Sequence, residues 1–321
     1  MKRTLIAVAA LAAIASIPSV VHAQAVISNG SGIYAGFAQA GQMGYSNSVY
    51  RSTNAGAIGI AIQADLSAYS RGSGIFDATT PGCICEGWGV SVNGTTGGSW
   101  NTSTSFGGMT FSSQSTDYVA NTSYGSYFRT TSTLNGSTLQ VQHDYHASAS
   151  SALFQGTVTL TNTDGTTALS DVRYRRAMDW DVPPGEFSEK VTIGGWPATA
   201  LIASSDNGFA SANPLNSQGG ISCATNANFS QCGAADHGAV FDFSFGSLAA
   251  GESKSFQIYY GAVQGTSDNV SAALSALATV GAEVYSLGMY GNNNGTGDPI
   301  TYIFGFGGVG GTVVENPAPE P

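Results

Sequence analysis

Charged side chains are scarce in this chain. They make up 9% of the residues, whereas an ordinary soluble domain has about 25%. Beyond the N-terminal segment the only lysines are Lys190 and Lys254, and no cluster of basic residues is interleaved with aromatic ones. A protein that binds a phosphate backbone needs such a cluster, so the composition predicts no nucleic-acid partner.

Several catalytic signatures are also absent. The chain contains no Gly-x-Ser-x-Gly elbow of the kind that positions a nucleophilic serine. The stretch 305–310 spells the glycine fingerprint of dinucleotide sites, but the 11 residues after it leave no room for the helix that the motif requires. No repeat of fixed period occurs, which argues against a solenoid or a propeller.

Short runs with a period of two dominate the sequence, and turn residues such as Asp164-Gly165 separate them. Strands of this length, with few helical stretches between them, predict an all-β fold, an antiparallel β-sandwich that is either one large sandwich or two fused ones. These runs are 57–62, 127–131, 139–145, 153–161, 172–180, 190–193, 240–245, 256–260 and 300–306.

One short helix is predicted near 268–281, because apolar residues follow helical spacing there up to Gly281. We expect its apolar stripe to pack against a sheet. The composition divides the chain into four parts: a signal peptide (1–23), a β region rich in Gly, Ser, Thr and Asn (24–135), a β-sandwich with the helix (136–311), and a linker with a tail (312–321).

The N-terminus is typical of a secretory signal. Lys2 and Arg3 precede an apolar stretch, and Val21-His22-Ala23 fits the cleavage rule for small residues. Cleavage after Ala23 leaves 8 basic against 20 acidic residues, a formal net charge of −12. We therefore expect a secreted protein, extracellular or on the outer cell surface, that attracts cations or a basic partner.

The four cysteines form two close pairs, Cys83 with Cys85 and Cys223 with Cys232. In an oxidising compartment they predict disulfides, of which three pairings are possible. Short loops favour pairing within each pair, and pairing between the two pairs is the alternative. Neither spacing matches the knuckles of a zinc site.

The most charged stretch is 171–190, with 9 of the chain's 30 charged residues. Strand alternation places Arg173, Arg175, Asp179 and Asp181 on one face, and it puts the two aspartates roughly 7 Å apart. The pattern favours ion pairs between neighbouring strands. The alternatives are a structural calcium site of Asp179, Asp181 and Glu186, and a carboxylate pair for glycan hydrolysis.

Histidines give weaker indications. His143 and His146 fall on opposite faces of a strand, which disfavours a shared metal. His237 follows Asp236, so a Ser-His-Asp arrangement stays open, although structural hydrogen bonds are favoured.

The chain closes on Pro319-Glu320-Pro321, which resembles the opening of the PEP-CTERM sorting signal of secreted proteins from exopolysaccharide-making Gram-negative bacteria. The stretches 83–89 and 174–181 are also similar to uncharacterised proteins of that group. In that family an apolar segment and basic residues follow the motif, whereas the sequence printed here ends at Pro321. The resemblance implies secretion, and an exosortase as a partner where the full tail exists. It implies no catalytic residue.

Together these observations predict a non-enzymatic protein of the cell surface or exopolysaccharide matrix. Trp88 and Trp100 are candidates for stacking on a sugar, since an aromatic face offers a large contact area. Polysaccharide or cell-surface components are the expected partners, and no cofactor is expected beyond the structural calcium. The alternative is a secreted glycan hydrolase that uses Asp179 and Asp181.

Overall fold

The computed structural model describes residues 24–45, 50–100, 104–116, 127–265, 269–291 and 299–317. The predicted signal peptide (1–23), the Pro319-Glu320-Pro321 tail and the residues just before the helix at 266–268 lie outside these ranges. No helix in the described part of the chain is both long and apolar enough to cross a membrane.

The described residues form nineteen strands, one α-helix and one 3₁₀ turn at Ser67–Tyr69. In chain order the strands are β1 (Ala25–Ser28), β2 (Ile33–Phe37), β3 (Ile60–Asp65), β4 (Ser73–Asp77), β5 (Glu86–Val92), β6 (Thr95–Trp100), β7 (Thr104–Gly107), β8 (Met109–Thr116), β9 (Tyr127–Leu134), β10 (Leu139–Ala147), β11 (Leu153–Asn162), β12 (Leu169–Trp180), β13 (Glu189–Gly194), β14 (Leu201–Ser205), β15 (Phe229–Ala235), β16 (His237–Leu248), β17 (Ser253–Gln264), β18 (Val284–Tyr290) and β19 (Ile300–Gly307). The helix α1 spans Asn269–Thr279. All nine runs with a period of two contain strands, so the all-β prediction is confirmed.

The strands form three antiparallel sheets. A nine-stranded sheet has the order β15-β13-β18-β19-β17-β11-β10-β9-β8, a six-stranded sheet has the order β14-β16-β12-β5-β6-β7, and β1 to β4 form a four-stranded sheet. Both larger sheets combine strands from before and after residue 135. Both larger sheets therefore extend across the compositional boundary near residue 135.

The two larger sheets face each other across one core. Tyr174 of the six-stranded sheet meets Phe256 of the nine-stranded sheet with ring centroids 5.0 Å apart, and Phe241 meets Phe304 at 5.6 Å. The four-stranded sheet joins the same core, since Phe37 stacks on Tyr145 at 3.9 Å. Alternation of side chains along each strand supplies these inward residues, as expected for stacked sheets.

Helix α1 packs on the opposite face of the nine-stranded sheet. Its buried residues Ala273, Ala276 and Leu277 contact a cluster that includes Tyr259 and Ile303. Both of these residues neighbour inward-facing ones in their strands, so strand alternation places them on the outer face. The prediction that the apolar stripe of the helix packs against a sheet is confirmed.

Candidate functional site

The charge-rich strand β12 carries two buried ion pairs. Arg175 lies opposite Asp242 of β16 in the strand register, and its Nε donates a 2.5 Å hydrogen bond to the Asp242 carboxylate. Arg176 points into the core, where its guanidinium contacts Glu86 at 2.5 Å and the hydroxyl of Tyr145 at 3.1 Å. The predicted pairing between neighbouring strands is thus confirmed for Arg175.

Asp179 and Asp181 form no such pair. Their backbone N–H groups donate to the carbonyl oxygens of Cys85 and Ala78, both at 2.8 Å, which fixes the end of the strand. Their side chains are 2% and 0% exposed. Both carboxylate oxygens of Asp181 and Oδ1 of Asp179 have no hydrogen-bond partner in the described structure.

Asp236 completes this cluster. The register between β12 and β16 sets Asp179 opposite Gly238, and this brings the residue just before β16 to the end of β12. One carboxylate oxygen from each of Asp179, Asp181 and Asp236 lies within 4.8 Å of the other two. Asp236 is exposed, so the cluster has one side open to solvent.

Glu189, at the start of β13, lies near enough to Asp179 and Asp181 for their charges to interact. Its Oε1 accepts the backbone N–H groups of Val182 at 3.2 Å and of Phe187 at 2.5 Å. Its Oε2 is buried without a partner. We call Asp179, Asp181, Asp236 and Glu189 the carboxylate centre.

Burial raises the pKa values of the carboxylate centre. The pKa of Asp181 rises to about 9, first through loss of solvation and then through the charges of Asp179 and Glu189. The pKa of Glu189 rises to about 8 and that of Asp179 to about 7, again mainly through burial. These carboxyls therefore need a neutralising partner, either protons or a cation.

Glu186 does not belong to the carboxylate centre, and the prediction that it shares a calcium site with Asp179 and Asp181 is wrong. Its carboxylate forms an ion pair with Arg71 at 2.5 Å and accepts a hydrogen bond from Asn54 at 3.2 Å. These partners satisfy both of its oxygens. Glu189 and Asp236 take its place beside the two aspartates.

The two candidate tryptophans differ in exposure. Trp88 is fully buried, and its Nε1 donates to the carbonyl oxygen of Ala40 at 2.8 Å. Its role as a sugar platform is therefore wrong, because both faces of its ring lie in the core. Trp100 is partly exposed and packs against a small cluster that includes Ala177 and Val240, so its role in binding a sugar stays a prediction.

The cysteines pair locally. Disulfides join Cys83 to Cys85 and Cys223 to Cys232, as the short loops favoured. All four sulfurs are bonded, which leaves no thiolate for zinc. The Cys83 sulfur lies 3.7 Å from Oδ2 of Asp179, so the first disulfide borders the carboxylate centre.

Both ring nitrogens of His237 lie within hydrogen-bond distance of neighbouring groups. Its Nδ1 lies 3.0 Å from Oδ2 of Asp206 and 3.4 Å from the Ser222 hydroxyl, and its Nε2 lies 2.9 Å from the carbonyl oxygen of Glu189. A catalytic serine contacts the ring nitrogen opposite the one that the aspartate holds. Here both contact Nδ1, so this group is not a Ser-His-Asp triad.

The other histidine prediction is confirmed. His143 is buried and hydrogen bonds to the Tyr174 hydroxyl at 3.0 Å, while His146 lies on the outer face of β10. The two rings therefore cannot share a metal.

The geometry of the carboxylate centre suits cation binding better than hydrolysis. A glycan cannot reach Asp181 without displacement of the residues that bury it, whereas the neighbouring Asp236 is exposed at the surface. Sequence reasoning missed Asp236 and Glu189 because only the strand register and the path of the chain after β12 bring them together. Comparison with protein-family models, with curated proteins and with solved structures finds no match to this chain.

Proposed function

We propose that this chain is an exported, non-enzymatic protein of the cell surface or exopolysaccharide matrix, and that its carboxylate centre binds calcium. The observation that carries the calcium proposal is Asp181, whose two carboxylate oxygens are buried without a hydrogen-bond partner. Burying an ionised carboxylate costs several kcal/mol unless the group is paired or bound to a metal. No cationic side chain of the described residues forms an ion pair with it.

Calcium fits the donors and their spacing. All donors are oxygens, which hard cations prefer, and Ca²⁺ holds its ligands at about 2.3–2.6 Å, so that opposite ligands stand up to about 5 Å apart. The three aspartate oxygens lie within 4.8 Å of one another. Mg²⁺ demands shorter and more regular contacts, at about 2.1 Å. Because Asp236 is exposed, we expect water to supply the remaining ligands of the calcium ion.

The proposed location is supported by other features. The N-terminal segment is typical of a secretory signal, and two disulfides occur in a chain with few charged residues. Disulfides of this kind persist in oxidising compartments. N-terminal sequencing of protein recovered outside the producing cells tests export, and we expect the recovered chain to begin at Gln24. Protein found only inside the cell with an intact N-terminus contradicts it.

Calcium titration of the exported protein tests the site. We expect heat of binding in calorimetry after the protein is stripped with chelator, and a higher melting temperature in calcium than in chelator, because a ligand of the native state stabilises it. Asp181→Asn should abolish both effects. Glu315→Gln, which removes an exposed carboxylate elsewhere, should leave them unchanged. An identical melting temperature in calcium and in chelator contradicts the calcium proposal.

A further inference from the structure

A second site lies beside the carboxylate centre. It is a surface pocket of about 620 Å³, which we call the Phe187 pocket, and its walls include Asn54, Arg71, Gly82, Ile84, Pro184 and Phe187. Its volume falls within the range of about 300–1,000 Å³ found for small-molecule sites. The pocket combines an aromatic ring and apolar rim residues with a small set of planar polar groups.

Two bulky residues of this pocket have an unfavourable backbone. Ile84 has φ 50° and Phe187 has φ 74°, both in the left-handed region. The other five non-glycine residues of the described chain with positive φ are polar, and three of them are Asn or Asp, which tolerate this conformation better than bulky residues do. Strained backbone persists where surrounding structure holds it, and it concentrates at binding sites. Here the only two hydrophobic cases in the described chain line the same pocket.

The Phe187 ring lies at the surface. The side chain is 51% exposed, so it contributes little to the core. The N–H of Phe187 donates to Oε1 of Glu189 at 2.5 Å, which fixes the backbone. The ring edge lies over Gly82, where an added Cβ would stand 2.9 Å from Cε1 of the ring. The ring therefore contacts Gly82 at the mouth of the pocket and keeps about half of its surface in solvent.

Fixed polar groups stand beside this ring. Arg71 donates to the carboxylate of Glu186 and to the carbonyl oxygen of Pro184 at 2.9 Å, which positions its guanidinium. Asn54 donates to the carbonyl oxygen of Asp77 at 2.8 Å and to Glu186. The Arg71 side chain remains 40% exposed, so part of its N–H donor set faces the pocket opening.

We propose that the Phe187 pocket binds a neutral sugar unit of a polysaccharide. The C–H face of a pyranose stacks on an aromatic ring, and its hydroxyl groups can accept hydrogen bonds from the exposed part of the Arg71 guanidinium. An anionic sugar is disfavoured, because the carboxylate centre lies behind the pocket and the mature chain has a net charge of −12. The inference rests on the matrix role proposed above and names its ligand.

Affinity electrophoresis of the exported protein tests this pocket, in gels that contain glucomannan, dextran, xylan or, as an anionic probe, alginate. We expect at least one neutral polysaccharide to retard the wild type. Phe187→Gly should weaken that interaction at least tenfold without lowering the melting temperature, because glycine removes the ring and accepts φ 74° without strain. Phe187→Trp should retain the retardation. Phe209→Ala, which removes an exposed phenylalanine elsewhere, should behave as the wild type.

Three outcomes overturn the inference: equal retardation of the wild type and Phe187→Gly, retardation in alginate alone, or no retardation in any gel. The first leaves the matrix role intact and moves the binding site elsewhere. The third rules out binding of these polysaccharides at any site, and it leaves export and calcium binding to be decided by their own tests. Calorimetry with calcium on the same samples reports independently on the carboxylate centre, so failure of the sugar site and failure of the calcium site are separated.

Discussion

A carboxylate oxygen of Asp181 lies within 4.8 Å of one of Asp236, although the first side chain is fully buried and the second is exposed. Asp181 directly follows β12 and Asp236 directly precedes β16, and these two strands are neighbours in one sheet although they are far apart in sequence. The carboxylate centre therefore joins a buried carboxyl group, whose ionised form is costly, to a carboxylate at the protein surface.

Without a cation, the stability of the protein should fall between pH 7 and pH 9. The pKa of Asp181 rises from 3.8 to about 9 and that of Glu189 from 4.5 to about 8, so over this window the folded state retains protons that the unfolded state has lost. The free energy of unfolding then decreases as pH rises. Urea unfolding in chelator at several pH values measures this slope.

Calcium should remove that slope, since the bound cation replaces the protons, and its affinity should increase with pH. The window avoids His143, whose pKa burial lowers well below 6.5 and which therefore acts in the opposite direction at lower pH. A free energy of unfolding that rises from pH 7 to pH 9 in chelator contradicts the prediction.

Asp181→Asn should have opposite effects with and without calcium. In chelator at pH 8, the amide removes the need to neutralise a buried carboxyl, and we expect a gain of roughly 1–3 kcal/mol in the free energy of unfolding. In calcium, the variant should be less stable than the wild type because it lacks a ligand. Chemical unfolding in both buffers measures the crossover, and Glu315→Gln serves as the control. Loss of stability in both buffers by the same amount speaks against a cation site.

Breaking the ion pair between Arg176 and Glu86 should be costly. Both side chains are 0% exposed, so Arg176→Met leaves a buried carboxylate uncompensated, and we expect a loss of about 3–5 kcal/mol. Adding Glu86→Gln should restore much of this loss. Arg173→Met is the matched control, because its pair with Asp171 is partly exposed and is worth about 0–1 kcal/mol. Equal losses in the two arginine variants refute the argument.

Gly288→Ala should destabilise the contact between the two large sheets. A Cβ at this position would stand 2.6 Å from Cδ2 of Trp180, a buried ring in β12 that cannot move aside. Overpacking of this kind costs about 1–3 kcal/mol. Gly165→Ala is the control, since its added Cβ meets nothing within 4 Å. Thermal unfolding distinguishes the two, and a comparable melting temperature for both variants disproves the prediction.

The sequence predicted strands best where one face of the strand is buried and the other is exposed to solvent. Strand β10, for example, alternates regularly between buried and partly exposed residues. Strand β5 is buried on both faces and contains Gly87 and Gly89, so it shows no alternation and was not predicted. A Cβ on Gly89 would stand 2.1 Å from the carbonyl oxygen of Ala212, which shows how closely the chain covers its second face.

The candidate site was predicted only in part. Local spacing identified Asp179 and Asp181, because strand alternation places them on one surface. It also favoured Glu186, which is closer in sequence than Asp236 but turns towards Arg71. The choice between Glu186 and Glu189 depends on the path of the chain after β12, and Asp236 depends on the register between β12 and β16. Neither the path of the chain after β12 nor the register between β12 and β16 leaves a local pattern in the sequence.

The position of β19 determines when the nine-stranded sheet can be completed. This strand, near the end of the described chain, lies between β18 and β17 in the middle of the nine-stranded sheet. The sheet cannot close until residues 300–307 have emerged, so β15, β13 and β18 remain separated from the rest during synthesis. Such late, long-range pairing is slow compared with local folding. A chain that lacks residues 300–307 therefore leaves β15, β13 and β18 without a hydrogen-bonded connection to β17 and the strands beyond it in this sheet.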